Sequence, residues 1–233
     1  MTNHQDASTF LRVGQLNEMF DNSPFVGGVD WMRLEKQCAS IEDEIREARD
    51  AAIESDFDEV RDGLCDVRVF ACGAEYFLGL DYAERALGAG MNPIRVDPSN
   101  PSFGQILDFY LPELDRLFSD VLMPAIAARD LDSVIDALQH INTTAFLAQV
   151  HLGVDPQEDM HNAIDGVMTR SCEDQADLQA TLDFWENEKG LEVYVVGEFP
   201  NKAVKSAKDQ PDAPQGKFLK SASTRKPVYR QYT

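Results

Sequence analysis

The chain has 233 residues, with 21 Lys/Arg against 41 Asp/Glu and a formal net charge of −20 at pH 7. That balance argues against a general nucleic-acid binder, which needs a basic footprint, and no apolar run approaches a membrane span. The N-terminal MTNHQDASTF lacks the basic start and apolar core of a secretion signal, and Cys38, Cys65, Cys72 and Cys172 show no metal-pair spacing, so reduced, buried thiols in the cytoplasm are expected.

In chain order, residues 7 to 21 predict a short amphipathic helix, because Phe10, Val13, Leu16 and Phe20 share one face. Pro24 and the Gly27-Gly28 pair then break the pattern. Asp30 is the expected N-cap of a helix over roughly 30 to 54. Ser55-Asp56 caps a second over about 57 to 79, which Gly79 ends. Residues 88 to 103 concentrate Gly, Pro, Asn and Ser, as a connector or an active-site loop would. Helical periodicity resumes over 105 to 128 and 131 to 152, from Asp155-Pro156 to about Met168, and from Cys172 to Lys189. Residues 191 to 197 (LEVYVVG) read as a strand, with Gly216-Lys-Phe-Leu-Lys220 as its hairpin partner.

An offset of 74 residues lays Val60-Arg-Asp-Gly-Leu-Cys-Asp-Val over Val134-Ile-Asp-Ala-Leu-Gln-His-Ile, and Gly79 over Gly153. Two helical hairpins, about 30–80 and 105–154, then pack as one four-helix bundle. The expected fold is mainly α. An all-α part spans 1–190, and a small β-hairpin or extended tail spans 191–233. The last 33 residues hold eight Lys/Arg and two Asp, a net of +6 on an otherwise acidic chain.

The chemistry concentrates in the first hairpin. Glu44 and Glu47 are three apart, Asp62 and Asp66 four apart, and Glu59 lies three before Asp62. Residues at those spacings share a helix face. Two facing stripes would gather four or five negative charges, a cost that a bound divalent cation removes. The competing reading is a pair of solvated acidic faces. Ile41, Ile45, Ala48, Val60 and Leu64 are interleaved with the carboxylates, which sets the charges beside apolar faces where an unpaired charge is expensive.

This stretch resembles the MazG-like, all-α nucleoside triphosphate pyrophosphohydrolases. Their signature is a Glu-x-x-Glu helix followed by a helix ending in Glu-x-x-Asp. Glu44-Ile-Arg-Glu47 matches the first half and Asp66 the final Asp. The usual second Glu is replaced by Gly63, and Asp62-Gly-Leu-Cys-Asp66 is similar to the variant Asp-Ala-Leu-x-Asp. Gly216-Lys-Phe-Leu-Lys220 with Arg225-Lys226-Pro227 looks like the family's C-terminal segment. Val167-Met-Thr-Arg-Ser lies where a Ser-Asn-x-Ser-Lys motif is common but lacks its Asn and Lys. The resemblance implies Mg²⁺, with Mn²⁺ as a substitute, held by Glu44, Glu47, Asp66 and either Asp62 or Glu59. It also implies hydrolysis of a nucleoside triphosphate to the monophosphate and pyrophosphate, with Glu44 and Glu47 catalytic. In the second repeat Phe118, Val121 and His140 stand where Glu44, Glu47 and Asp66 do, so only the first hairpin keeps the ligands.

For the substrate, Lys217, Lys220 and Arg225 are the expected phosphate clamps. His140 and Asn142, with Thr143 and Thr144, would line a nucleoside pocket; as a bland alternative these are core or surface polar groups. A homodimer is left open. The rival functions are a non-catalytic helical module that binds a nucleotide or a protein, and an acidic mimic of DNA suggested by net charge alone.

Overall fold

Helix starts in this chain are set by aspartates. A computed structural model describes residues 3–80, 103–211 and 213–229. The expected loop at 88 to 103 lies almost wholly outside them. Helix α1 spans Asn3–Met19. Asp30 accepts a hydrogen bond from the Arg33 N–H and opens α2, Trp31–Glu54. Asp56 does the same for the Glu59 N–H at the start of α3, Phe57–Phe77. Each aspartate satisfies one of the four orphan N–H groups of a helix N-terminus. Helix α4 runs from 103 to 128. It contains two wider, π-helical stretches, Ile106–Tyr110 and Leu117–Leu122. Then come α5, Leu131–His151, capped by Asp130, and α6, Pro156–Met168.

The repeat holds at the level of backbone hydrogen bonds. Ser55 and Arg129 both end a helix at positive φ, 59° and 55°. Asp56 N–H reaches Ala51 O and Asp130 N–H reaches Ala125 O, both at 2.9 Å. At the far ends, Gly79 N–H reaches Tyr76 O and Gly153 N–H reaches Val150 O, both at 3.0 Å, with φ of 71° and 78°. Every one of these pairs is 74 residues apart.

Contacts divide the chain into two units. The first comprises residues 1–14, 24–163 and 229–233, and the second 15–23 and 164–228. In the first, α2 packs on α3, α3 on α5, α5 on α4 and α4 on α2. The closed circuit is a four-helix core built on fully buried residues such as Leu34, Ile41, Leu64, Leu114, Leu138 and Ile141. Arg68 Nε donates to Asn142 Oδ1 at 3.1 Å. These two residues are equivalent in the repeat, and Gln149 Nε2 meets Cys65 Sγ at 3.0 Å, so α3 and α5 run antiparallel past the point where the equivalents meet. The hairpins are therefore related by an approximate twofold rotation, and Arg68 lies near its axis.

In the second unit, α7 (Gln175–Leu182, extended by π-helical Asp183–Glu188) precedes β1, Val193–Val196, and β2, Ala203–Ser206. The strands are antiparallel, with Val193 opposite Ser206 and Val196 opposite Ala203. This corrects the expected hairpin partner. The segment 216–220 lies along the other edge of β2, through a bridge from Phe218 to Lys205 and bonds from Gly216 N–H to Ser206 O, Ser206 N–H to Lys217 O and Leu219 N–H to Val204 O. Helix α7 also begins later than Cys172, which instead pairs with Lys202. Leu178, Val204, Ala213 and Leu219 share one core with Cys172, so α7 belongs with the hairpin and the units part inside α6, not after residue 190. All four cysteines are free and buried. Among the described residues no helix is long and apolar enough to cross a membrane.

Candidate acidic site on the first hairpin

Gly63 marks a close approach between α3 and the backbone of α2. A Cβ on Gly63 would stand 2.9 Å from Ala48 Cβ and 3.1 Å from the Ala48 Cα and N atoms. Position 63 faces the partner backbone, where a glutamate has no room. Its neighbour Asp62 and, one turn on, Asp66 are half-buried. On α2, Glu44 is half-buried and Glu47 exposed.

These carboxylates act on one another. Burial, followed by the charges of Asp66, Glu47, Asp62 and Asp43, pushes the Glu44 carboxyl up from 4.5 to about 8. Removing water from a carboxylate and surrounding it with like charges both disfavour its ionised form. Asp43 is the outlier of the group, exposed and paired with Arg46 at 2.7 Å. Glu59 is exposed in the first turn of α3 and is not among the charges that dominate at Glu44. Of the two α3 residues left open, Asp62 and Glu59, it is Asp62 whose charge acts on Glu44.

Two neighbours were not foreseen in the sequence. The Tyr229 hydroxyl donates to Asp62 Oδ1, and the Tyr229 ring lies against Arg61, with Cζ 4.7 Å from the ring centroid. Arg61 is fully buried and forms two bonds to Asp159, Nε to Oδ2 at 2.8 Å and Nη2 to Oδ1 at 2.6 Å. Burial raises the Tyr229 hydroxyl, and the nearby Cys65 and Asp62 add to it. A signal for Arg61 did exist. Arg61 and Arg68 are seven apart on a face that Leu64, Cys65 and Cys72 mark as interior. Tyr229 had none, because nothing local to it points to α3.

The remaining expected residues lie elsewhere. Asn142 is buried, with its Oδ1 accepting from Arg68, which ties it to the bundle interior and not to a pocket wall. His140 is exposed. It helps Arg116 hold the Glu113 carboxyl below its ordinary range. His151 is buried, where its Nδ1 meets the Tyr110 hydroxyl and lies 3.2 Å from Leu147 O. Lys217, Lys220 and Arg225 are exposed residues of the second unit, and Arg225 pairs with Glu173 at 3.5 Å. In α4, Phe118 and Val121 fall inside the π-helical turn Leu117–Leu122. A π turn widens the helix and shifts the facing of its residues. At these positions the second hairpin has neither carboxylates nor a regular α-helical turn.

Four carboxylates with one member protonated near neutrality are chemically the donor set of a hard divalent cation, whose charge would release the Glu44 proton. Among the described residues, no three His, Cys, Asp or Glu groups already converge on one point close enough to hold a metal ion. The four carboxylates do not, as they stand, form a ready-made cation site. No protein-family model matches the chain, and no curated protein or solved structure is significantly similar to it.

Proposed function

We propose that the chain is a divalent-metal-dependent hydrolase that converts a ribo- or deoxyribonucleoside triphosphate and water to the monophosphate and pyrophosphate, acting on the cytoplasmic nucleotide pool. The observation that carries this reading is the half-buried Glu44 beside Asp66, Glu47 and Asp62 across one helix crossing, with its carboxyl raised to about 8. The likeness of Glu44-Ile-Arg-Glu47 and Asp62-Gly-Leu-Cys-Asp66 to the pyrophosphohydrolase signature supplies the substrate class.

Glu44, Glu47, Asp62 and Asp66 would hold Mg²⁺ or Mn²⁺. When bound, such an ion offsets triphosphate charge and acidifies an attacking water. Glu47 is more exposed than Glu44, so it is assigned the role of taking the proton from that water. Glu44, the most strongly perturbed of the four, gives up its own proton as the ligand set closes. Lys217, Lys220 and Arg225, in the second unit, remain candidate phosphate contacts from the sequence alone.

The test is pyrophosphate formation, read through inorganic pyrophosphatase, with Mg²⁺ and each common ribo- and deoxyribonucleoside triphosphate in turn. At least one nucleotide should be turned over, and Glu47→Gln should remove most of that turnover. No turnover with any nucleotide, under either metal, would leave a non-catalytic binding module as the surviving reading.

A further inference from the structure

The small sheet of the second unit has one edge covered and one open. Strand β2 lies in the middle. On one side Ala207 N–H reaches Glu192 O at 2.9 Å; on the other Leu219 N–H reaches Val204 O at 2.9 Å and Ser206 N–H reaches Lys217 O at 3.0 Å. Along an antiparallel strand, the residues whose N–H and C=O groups face a given neighbour alternate. With Val193 opposite Ser206, the bond from Ala207 to Glu192 turns the backbone groups of Glu192, Tyr194 and Val196 toward β2. Those of Val193 and Val195 therefore face outward, and among the described residues no backbone group meets them. Tyr194 and Val195 are 42% and 40% exposed. Edge strands that stay unpaired are commonly blunted by a lysine, a proline or a bulge. Val193-Tyr-Val-Val196 has none of these, and all four residues favour strands.

We infer that the outer edge of β1 is a self-association surface, on which a second copy of the chain pairs its own β1 antiparallel about a twofold axis. The outward groups select the register. Pairing Val193 with Val195 of the second copy, and Val195 with its Val193, makes four backbone bonds, uses every outward group and sets Tyr194 on the axis. A slip one way would pair Val195 with Leu191, whose N–H already donates to Trp185 O at 2.8 Å. A slip the other way would pair Val193 with Gly197, whose φ of 75° has left the strand. A second copy suits this edge because no like charges then stand opposite each other. Glu192 falls opposite Val196 and is paired with Lys208 in its own chain. The edge also belongs to the less charged unit. Residues 15–23 and 164–228 hold 13 Asp/Glu against 9 Lys/Arg, whereas the rest of the chain holds 28 against 12, so this unit opposes self-association least. A twofold pairing closes at two copies and does not propagate. One short ladder buries far less than the roughly 1,600 Å² of a standard interface, so the dimer is weak and forms at high concentration.

The experiment is sedimentation of the full chain from micromolar to near-millimolar concentration, with melting curves for each variant. Val195→Pro removes an N–H that β1 does not give to β2, which an edge strand tolerates, and deletes two of the four bonds between copies. Val195→Lys keeps the backbone and places a charge on the edge, so it carries the test if the proline variant melts early. Tyr194→Cys reads the register. Residues that face each other without sharing hydrogen bonds bring their Cα atoms to about 4.5 Å, within reach of a disulfide, and all four native cysteines are buried. The expected result is a reversible monomer–dimer equilibrium in the wild type, weakened about tenfold or more in folded Val195→Pro and Val195→Lys. Tyr194→Cys should oxidise to a disulfide-linked dimer. A wild type that stays monomeric throughout overturns the proposal. So does a dimer that the folded Val195 variants leave intact, and so does a Tyr194→Cys chain that dimerises without cross-linking.

Discussion

Glu44 and Gly63 are the two residues on which the site turns, and each yields a measurable consequence. With its carboxyl raised from 4.5 to about 8, Glu44 is protonated in both folded and unfolded chains below pH 4.5 and so does not affect their balance there. As pH rises from there, the unfolded chain loses the proton first, and stability falls until the folded group also ionises, near pH 8. Metal-free protein should therefore lose stability across that window, and Glu44→Gln should flatten the loss. Denaturant melts at a series of pH values in a chelator check this, and a wild-type profile parallel to that of Glu44→Gln would contradict it. Mg²⁺ at pH 8 should raise the wild-type melting temperature, because the ion binds the folded state. For Gly63, helix propensity alone favours alanine by about 1 kcal/mol. The Ala48 Cα and N atoms at 3.1 Å are backbone and cannot give way as a flexible side chain would. Overpacking then costs about 1–3 kcal/mol and wins, so Gly63→Ala should destabilise. Pairing it with Ala48→Gly should recover part of the loss in urea melts.

At the scale of elements, what could be read in the sequence was whatever rests on local rules. Asp30 and Asp56 announce their helices because a side-chain oxygen ahead of an apolar-periodic run is a local signal, and the structure places both at N-caps. The apolar periodicity of α2, α3 and α5 emerges as one buried core. The π-helical stretches of α4 left no trace in its periodicity. The second strand was misplaced for a related reason. Ala203-Val-Lys-Ser is buried throughout, with Lys205 over the Phe218 ring at 4.3 Å, and a lysine at that place hides a strand from any rule based on hydropathy. The partners of Glu44 were half legible. Spacing put Asp62 and Asp66 on one face, but only the packing of Ala48 on Gly63 showed that position 63 has no room for a side chain. The clamp between α3 and α6 belongs to this scale too. Removing one member of a buried ion pair leaves the other charge unpaired, so Asp159→Ala should cost about 3–5 kcal/mol. Replacing Arg61 and Asp159 together by apolar residues of similar volume should return much of that stability. A double variant no more stable than Asp159→Ala would show that Arg61 matters mainly for what it holds beyond the pair.

For the whole molecule, the repeat is the organising fact. Caps, helix ends and terminal hydrogen bonds recur at an offset of 74, and Arg68 meets its own equivalent Asn142. Each hairpin fills the place that a second copy of the other would take. Their chemistry has diverged: the first hairpin carries Glu44, Glu47, Asp62 and Asp66, whereas the second has Phe118 and Val121 in a π-helical turn and His140 exposed. Only Asp136 survives opposite Asp62, and it is solvent-exposed. This matched pair gives the most direct test of the account, which is Mg²⁺-dependent pyrophosphate release by Asp62→Asn compared with Asp136→Asn. The account predicts that Asp62→Asn lowers the rate by about 100-fold, the upper end of what even an outer partner of a metal site costs, while Asp136→Asn leaves the rate unchanged. Equal losses in the two variants, or no loss in Asp62→Asn, would contradict it.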